Sequence, residues 1–215
     1  MDGAKLQEFR RESREQLMNL KPEMIELYDT KSELPPLYSL VFQPTQKDLI
    51  EKIHKLQDHL RSIEPNNYYY SDTEFHSTII GNFPVSLGYE KLLTVIQKYL
   101  QVTNFKFQVT GLGSNRFCSS VSCYPVDFSI HEFREKIRKD VGDHGDDLKV
   151  HLETYEYMGW INYMRYMKTP SEKLLEALRS YIDTDFGIWS EGKLRLYETT
   201  SKTLNPLKRT LIWEY

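Results

Sequence analysis

Two cysteines, no long apolar run and no surplus of positive charge mark what this 215-residue chain has little of, and each shortage removes a class of protein. Cys118 and Cys123 fall in one predicted strand at an odd spacing, which sends their side chains to opposite faces. A mutual disulfide is therefore geometrically poor, and two thiols are too few to close a zinc site. They read as reduced, packed thiols. No apolar stretch is long enough to span a bilayer, and Met1-Asp2-Gly3-Ala4-Lys5 lacks a basic region followed by an apolar core. No membrane partner is expected, and a cytoplasmic location follows by default. The formal net charge of -3 argues against a uniformly basic, nucleic-acid-coating surface and leaves open only a local basic cleft. No Ser/Gly-rich or Pro-rich linker divides the sequence, so one core or two intimately packed lobes are expected.

What the chain has in quantity is aromatic side chains: 15 Tyr, 10 Phe and 3 Trp. They suit ring-rich strands and leave rings for stacking on a base. Residues 4–20 space Leu6, Phe9, Leu17 and Leu20 as one face of an amphipathic leading helix, which Pro35-Pro36 separates from the first strand. Leu37 to Phe42 reads as that strand, buried; Thr45 and Asp48 resemble a capping box, and Leu49, Ile53, Leu56 and Leu60 form a helical stripe. A strand comes next over Glu74–Ile80, closed by Gly81-Asn82-Phe83-Pro84, and Leu92, Leu93 and Ile96 mark the next helix. Phe105–Val109 alternates as a strand, Gly111–Asn115 reads as a turn, Phe117–Tyr124 returns as a strand, and Phe128–Val141 is a helix. Gly111 and Gly113 do not make a phosphate loop, because no helix comes after them to offer its N-terminus. From Trp160 the plan recurs: a strand to Tyr166, a capping box at Thr169-Pro170-Ser171-Glu172, and a helix carrying Leu174, Leu175 and Leu178. Strands then occupy 186–192, 194–199 and 210–215, and Phe186–Gly192 can be laid on Phe105–Gly111.

The residues with chemistry to offer are His76 and Thr78. Two positions apart on a strand, they project from one face while Phe75, Ser77 and Ile79 take the other. Imidazole suits proton transfer near neutral pH, and the hydroxyl can donate to a phosphoryl oxygen. His54, His59 and His131 read as surface residues without partners at ligand spacing, and the 142–147 loop lacks a calcium-loop pattern, so no metal and no cofactor is invoked.

A duplicated strand-helix-strand-strand order in which His76-Ser77-Thr78 opens a strand resembles the two-histidine (2H) phosphoesterases, the superfamily of RNA 2′-5′ ligase-like proteins and cyclic phosphodiesterases. The resemblance implies an internally duplicated, bilobal α+β fold. Two pseudo-twofold-related antiparallel sheets with outer helices would span residues 37–215, after an N-terminal helical extension at residues 1–36. In that family a second His-x-Thr faces the first across a cleft. Here the matching strand places Trp160 and Asn162 at those two positions, with Arg165 at the place of an arginine that often comes after the second motif. The resemblance thus assigns His76 and Thr78 as catalytic and Trp160, Asn162 and Tyr70 as substrate-binding. The partner it implies is a nucleotide or RNA end bearing a cyclic phosphate or a 2′-5′ linkage, and no DNA duplex. His151 is the alternative second imidazole. Losing a general acid or base costs on the order of a hundred- to ten-thousand-fold in rate, so the alternatives to an enzyme are a binding module and an interaction protein that docks through its leading helix.

Overall fold

A computed structural model of the chain describes residues 3–27, 36–141, 158–199 and 209–215. Helix α1 (Gly3–Met18) leads. Strand β1 (Leu37–Pro44), helix α2 (Lys47–Ile63), the short β2 (Tyr68–Tyr69), β3 (Ser77–Pro84), helix α3 (Tyr89–Lys98) and β4 (Phe107–Ser114) complete the first half, and β5 (Cys118–Pro125) opens the second. Helix α4 (Ser129–Val141), β6 (Gly159–Arg165), helix α5 (Glu172–Ser180), β7 (Asp185–Trp189), β8 (Gly192–Thr199) and β9 (Arg209–Glu214) make up the rest. His151 and the 142–147 loop lie outside the described residues.

The strands form two antiparallel sheets, β3-β1-β8-β9 and β2-β6-β5-β4-β7. The orders β3-β1-β8-β9 and β6-β5-β4-β7 correspond strand for strand, so the duplication is β1-α2-β3 against β5-α4-β6. Each half lends two strands to the other's sheet: β2 and β4 join the second sheet, and β8 and β9 the first. Phe186–Gly192 is consequently no repeat of Phe105–Gly111. β7 pairs with β4, Phe107 opposite Trp189 and Gln108 opposite Ile188. The two stretches look alike because their rings share one core, Trp189 stacking on Phe107 at 5.0 Å and on Phe42 at 4.8 Å.

Helical stripes bury as their spacing requires: Leu49, Ile53, Leu56 and Leu60 on α2, and Leu174, Leu175 and Leu178 on α5. The caps differ from the sequence reading. α2 begins after Gln46, whose amide Nε2 donates to the Ile188 carbonyl at 2.8 Å, and no side chain caps the helix. α5 is capped by Ser171, which accepts from the Leu174 N–H at 3.2 Å, in place of Thr169. The glycine stretch is strand, not turn. A bulge at Gly111, with φ 73°, shifts the register between Val109 and Leu112 and lets β4 run on to Ser114. The reversal falls at Asn115, whose side-chain oxygen accepts from the N–H groups of Phe117 and Cys118 at 2.8 and 2.9 Å. Both cysteines are buried free thiols. No described helix is long and apolar enough to cross a membrane.

The two sheets meet along β3 and β6. Gly159 at the start of β6 comes so close to β3 that a Cβ there would stand 2.7 Å from the Ser77 hydroxyl oxygen. Helix α1 does not project away to await a partner. It lies on the second sheet, its Ser13 hydroxyl 3.5 Å from that of Ser122, with Leu17 and Leu20 buried in the common core.

Candidate active site

The seam between the sheets holds a small cavity of about 110 Å³. β3 and the residue before it supply Thr78 and His76, and β6 supplies Asn162 and Arg165. Tyr70, at the end of β2, closes one side; Ser39, Tyr197 and Thr199 line the first sheet, and Arg209 enters from β9. Strand alternation explains the first sheet's share, since Ser39 pairs with Tyr197 and Leu37 with Thr199 while Leu194 and Leu196 turn to the core.

His76 is half-buried, and its Nδ1 lies 2.6 Å from the Glu74 carbonyl oxygen. A carbonyl only accepts, so the proton resides on Nδ1 and Nε2 keeps its lone pair. Arg209 Nη1 also stands 3.4 Å from Nδ1, but a nitrogen already donating to Glu74 cannot accept from it; that approach is an electrostatic contact. Burial first, and then the Arg209 and Arg165 charges, push the imidazole down to about 4. It is neutral at pH 7.

Glu74 holds this segment in place. Its carboxylate accepts from the Tyr68 hydroxyl and from the Ser71 N–H and hydroxyl at 2.9 and 2.8 Å. These bonds keep it below the ordinary carboxylate range although burial opposes them. Gln57, fully buried, donates to the carbonyls of both Tyr70 and Tyr163 at 2.8 Å and so ties the loop before the motif to β6.

Arg165 donates through Nε to the Tyr70 hydroxyl oxygen, with its guanidinium 5.6 Å from the ring centre. Burial raises the Tyr70 phenol to about 12, so it keeps its own proton. Arg209 donates to the Thr73 carbonyl at 3.1 Å and lies 4.4 Å over the Tyr197 ring. Asn162 accepts from the Cys118 thiol at 3.3 Å through Oδ1, which leaves its NH₂ group as the donor toward the cavity. Two guanidiniums and no carboxylate line this space, so its chemistry suits an anion with several oxygens. Among the described residues no three His, Cys, Asp or Glu side chains gather as a metal set.

Of the five site residues expected from sequence, His76, Thr78, Asn162 and Tyr70 line one cavity. Trp160 does not. It lies two residues back on β6 and lines a separate hollow against α1. Sequence reading passed over Arg209, Tyr197, Thr199 and Ser39. The alternation Arg195, Tyr197, Thr199 against Leu194 and Leu196 was the available signal for a polar sheet face; nothing local announces Arg209.

Two interlocked antiparallel sheets with a polar seam between them make up the architecture, and it matches solved structures. Over 83% of this chain and 97% of the other, the fold matches E. coli LigT complexed with ATP at a TM-score of 0.51 and 10% identity. LigT complexed with phosphate gives 0.49 at 11% identity, covering 86% and 98%. TT0787 of Thermus thermophilus gives 0.46 at 14%, covering 84% and 96%. The chain shares this fold, which is the 2H phosphoesterase fold that the sequence resemblance implied. No protein-family model and no curated protein sequence matches the chain.

Proposed function

We propose that this protein holds the phosphate of a nucleotide or RNA end, cyclic or 2′-5′-linked, at His76, Thr78, Asn162, Arg165 and Arg209, and hydrolyses it slowly without metal. The observation that carries this reading is a single neutral imidazole facing a cavity that two guanidiniums make cationic. E. coli LigT, which shares the fold, is seen complexed with ATP, in keeping with a nucleotide ligand.

His76 Nε2 takes the proton of an attacking water as its oxygen bonds to phosphorus. The P–O2′ bond breaks, and the departing oxygen needs a proton that a second histidine would supply. Tyr70 supplies it here. Its oxygen accepts from Arg165, so its own O–H is available to donate, and a phenol raised to about 12 still protonates an alkoxide. Thr78 and Asn162 donate to the non-bridging oxygens while the arginines offset their charge. A phenol is a weaker acid than imidazolium near neutral pH, which makes turnover slow and binding the dominant property.

The test is calorimetry with nucleoside 2′- and 3′-monophosphates, beside a metal-free assay on 2′,3′-cyclic nucleotides and 2′-5′-linked dinucleotides. Binding that Arg209→Ala weakens, and slow hydrolysis that His76→Ala lowers about a hundredfold, are expected. Absence of binding by any of these probes overturns the reading.

A further inference from the structure

Helix α1 crosses the face of the second sheet that turns toward the seam, passing over Gly113. A Cβ at that position would meet the hydroxyls of Ser13 and Ser120 at 3.4 Å. The helix is tied at its far end, where Arg179 donates to the Leu20 carbonyl at 2.7 Å. Between α1 and β6 it leaves a hollow of about 430 Å³, within the size range of small-molecule sites. Phe9, Glu12 and Gln16 wall it from the helix, Trp160 and Ser120 from the sheet.

Three observations say what fits there. Trp160 and Asn162 lie on the same face of β6 two residues apart, so the hollow begins about 7 Å along the strand from the phosphate cavity, at about 3.4 Å of rise per residue. A sugar spans that gap. Second, no Lys, Arg or His lines the hollow, whereas two arginines line the cavity, so the hollow is not a second phosphate site. Third, a ring from the helix and a ring from the sheet, in a lining that also holds amides, hydroxyls and the Glu12 carboxylate, match a flat heterocycle with polar edges that donate as well as accept.

We infer that the hollow between α1 and β6 seats the base of the nucleotide whose phosphate lies at His76, with Phe9 and Trp160 as its walls and Gln16 at its edge. The inference rests on the phosphate reading above. It makes α1 part of the binding site: the helix closes over the base, and the second motif's lost histidine has become a ring that holds the ligand.

Calorimetry on the full chain with ribose phosphate and with nucleoside monophosphates separates the two ideas. The nucleotides should bind about tenfold or more tighter than ribose phosphate, the size of one base stack. Phe9→Leu, which keeps the helix's apolar anchor but removes the ring, and Trp160→Leu should erase that advantage while leaving ribose phosphate affinity unchanged. Gln16→Ala, on the exposed side of α1 and without effect on folding, should change the ranking among bases. Equal affinities for both probes, each weakened by Arg209→Ala, would overturn the base subsite and leave the phosphate site standing. A nucleotide advantage that survives both ring variants overturns it as well. Failure of ribose phosphate and nucleotides alike to bind removes the phosphate site, and the subsite with it.

Discussion

Strands β3 and β6 hold corresponding places in their sheets, each beside the strand that opens its repeat, yet they bring different groups to the seam. The β3 side offers an imidazole and a hydroxyl, and the β6 side an amide and a guanidinium, its indole lying in the hollow beside α1. Backbone pairing preserves the duplication because each sheet needs a strand from the other half to close. The facing side chains are free of that constraint, since neither sheet depends on them for pairing or core packing. The result is a cleft whose two sides carry different side chains, and the helix lies only over the second sheet.

The largest effect is expected where both sides contribute. Arg165 comes from β6 and Arg209 from β9, and each would form charge-assisted hydrogen bonds worth about 1.5–3 kcal/mol. The double variant Arg165→Ala/Arg209→Ala should weaken nucleoside monophosphate binding about a hundredfold or more. The single variants should share that loss. If Arg209→Ala alone carries all of it, the β6 side is a wall without a role, and calorimetry will show this directly.

Next comes the pH response of the β3 side. The folded chain depresses His76 from 6.5 to about 4, so between those values the unfolded state binds more protons. Stability therefore falls as pH drops from 6.5 toward 4, by up to about 3 kcal/mol for this group. Carboxylates such as Glu74 act in the same direction, so the quantity to measure is the difference between wild type and His76→Gln in urea unfolding at pH 7 and pH 4. The variant should lose less. Parallel losses would mean that the imidazole is not held neutral, and the asymmetry with β6 would lose its chemical content.

How far the sequence foretold this arrangement depends on the range of the forces involved. Apolar spacing placed α2 and α5 because their stripes are local, and His76 and Thr78 were legible because strand alternation is local too. Register across strands was not. Phe186–Gly192 looked like a repeat of Phe105–Gly111 because residues that share a core acquire similar patterns, whether related by duplication or by pairing. Gly111 read as a turn because a bulge and a turn ask for the same positive φ. Arg209 was invisible, since its place beside His76 is set by pairing of β9 on β8, where Thr199 lies opposite Arg209. Trp160 was rightly placed on its strand, but only the docking of α1 shows which hollow it lines.

The two halves also differ, at a smaller scale, in how a helix begins in each, although α5 is not the counterpart of α2. Ser171 caps α5 with a hydrogen bond to the Leu174 N–H, whereas Thr45 before α2 caps nothing. Ser171→Ala should cost about 1 kcal/mol in denaturant unfolding, and Thr45→Ala much less. Equal costs would show that the second helix gains no particular stability from its cap.

Smallest of all should be the loss of the ion pair that Arg14 of α1 makes with Asp183. Both side chains are more than half exposed, and exposed pairs contribute about 0–1 kcal/mol. What seats α1 on the second sheet is the burial of Leu17 and Leu20. Arg14→Ala should thus leave the unfolding midpoint nearly unchanged and nucleotide affinity unaltered, because Arg14 does not line the hollow beside Trp160. A large drop in either would mean that the helix is held by charge at its rim, and that the covered side of the cleft opens with ionic strength.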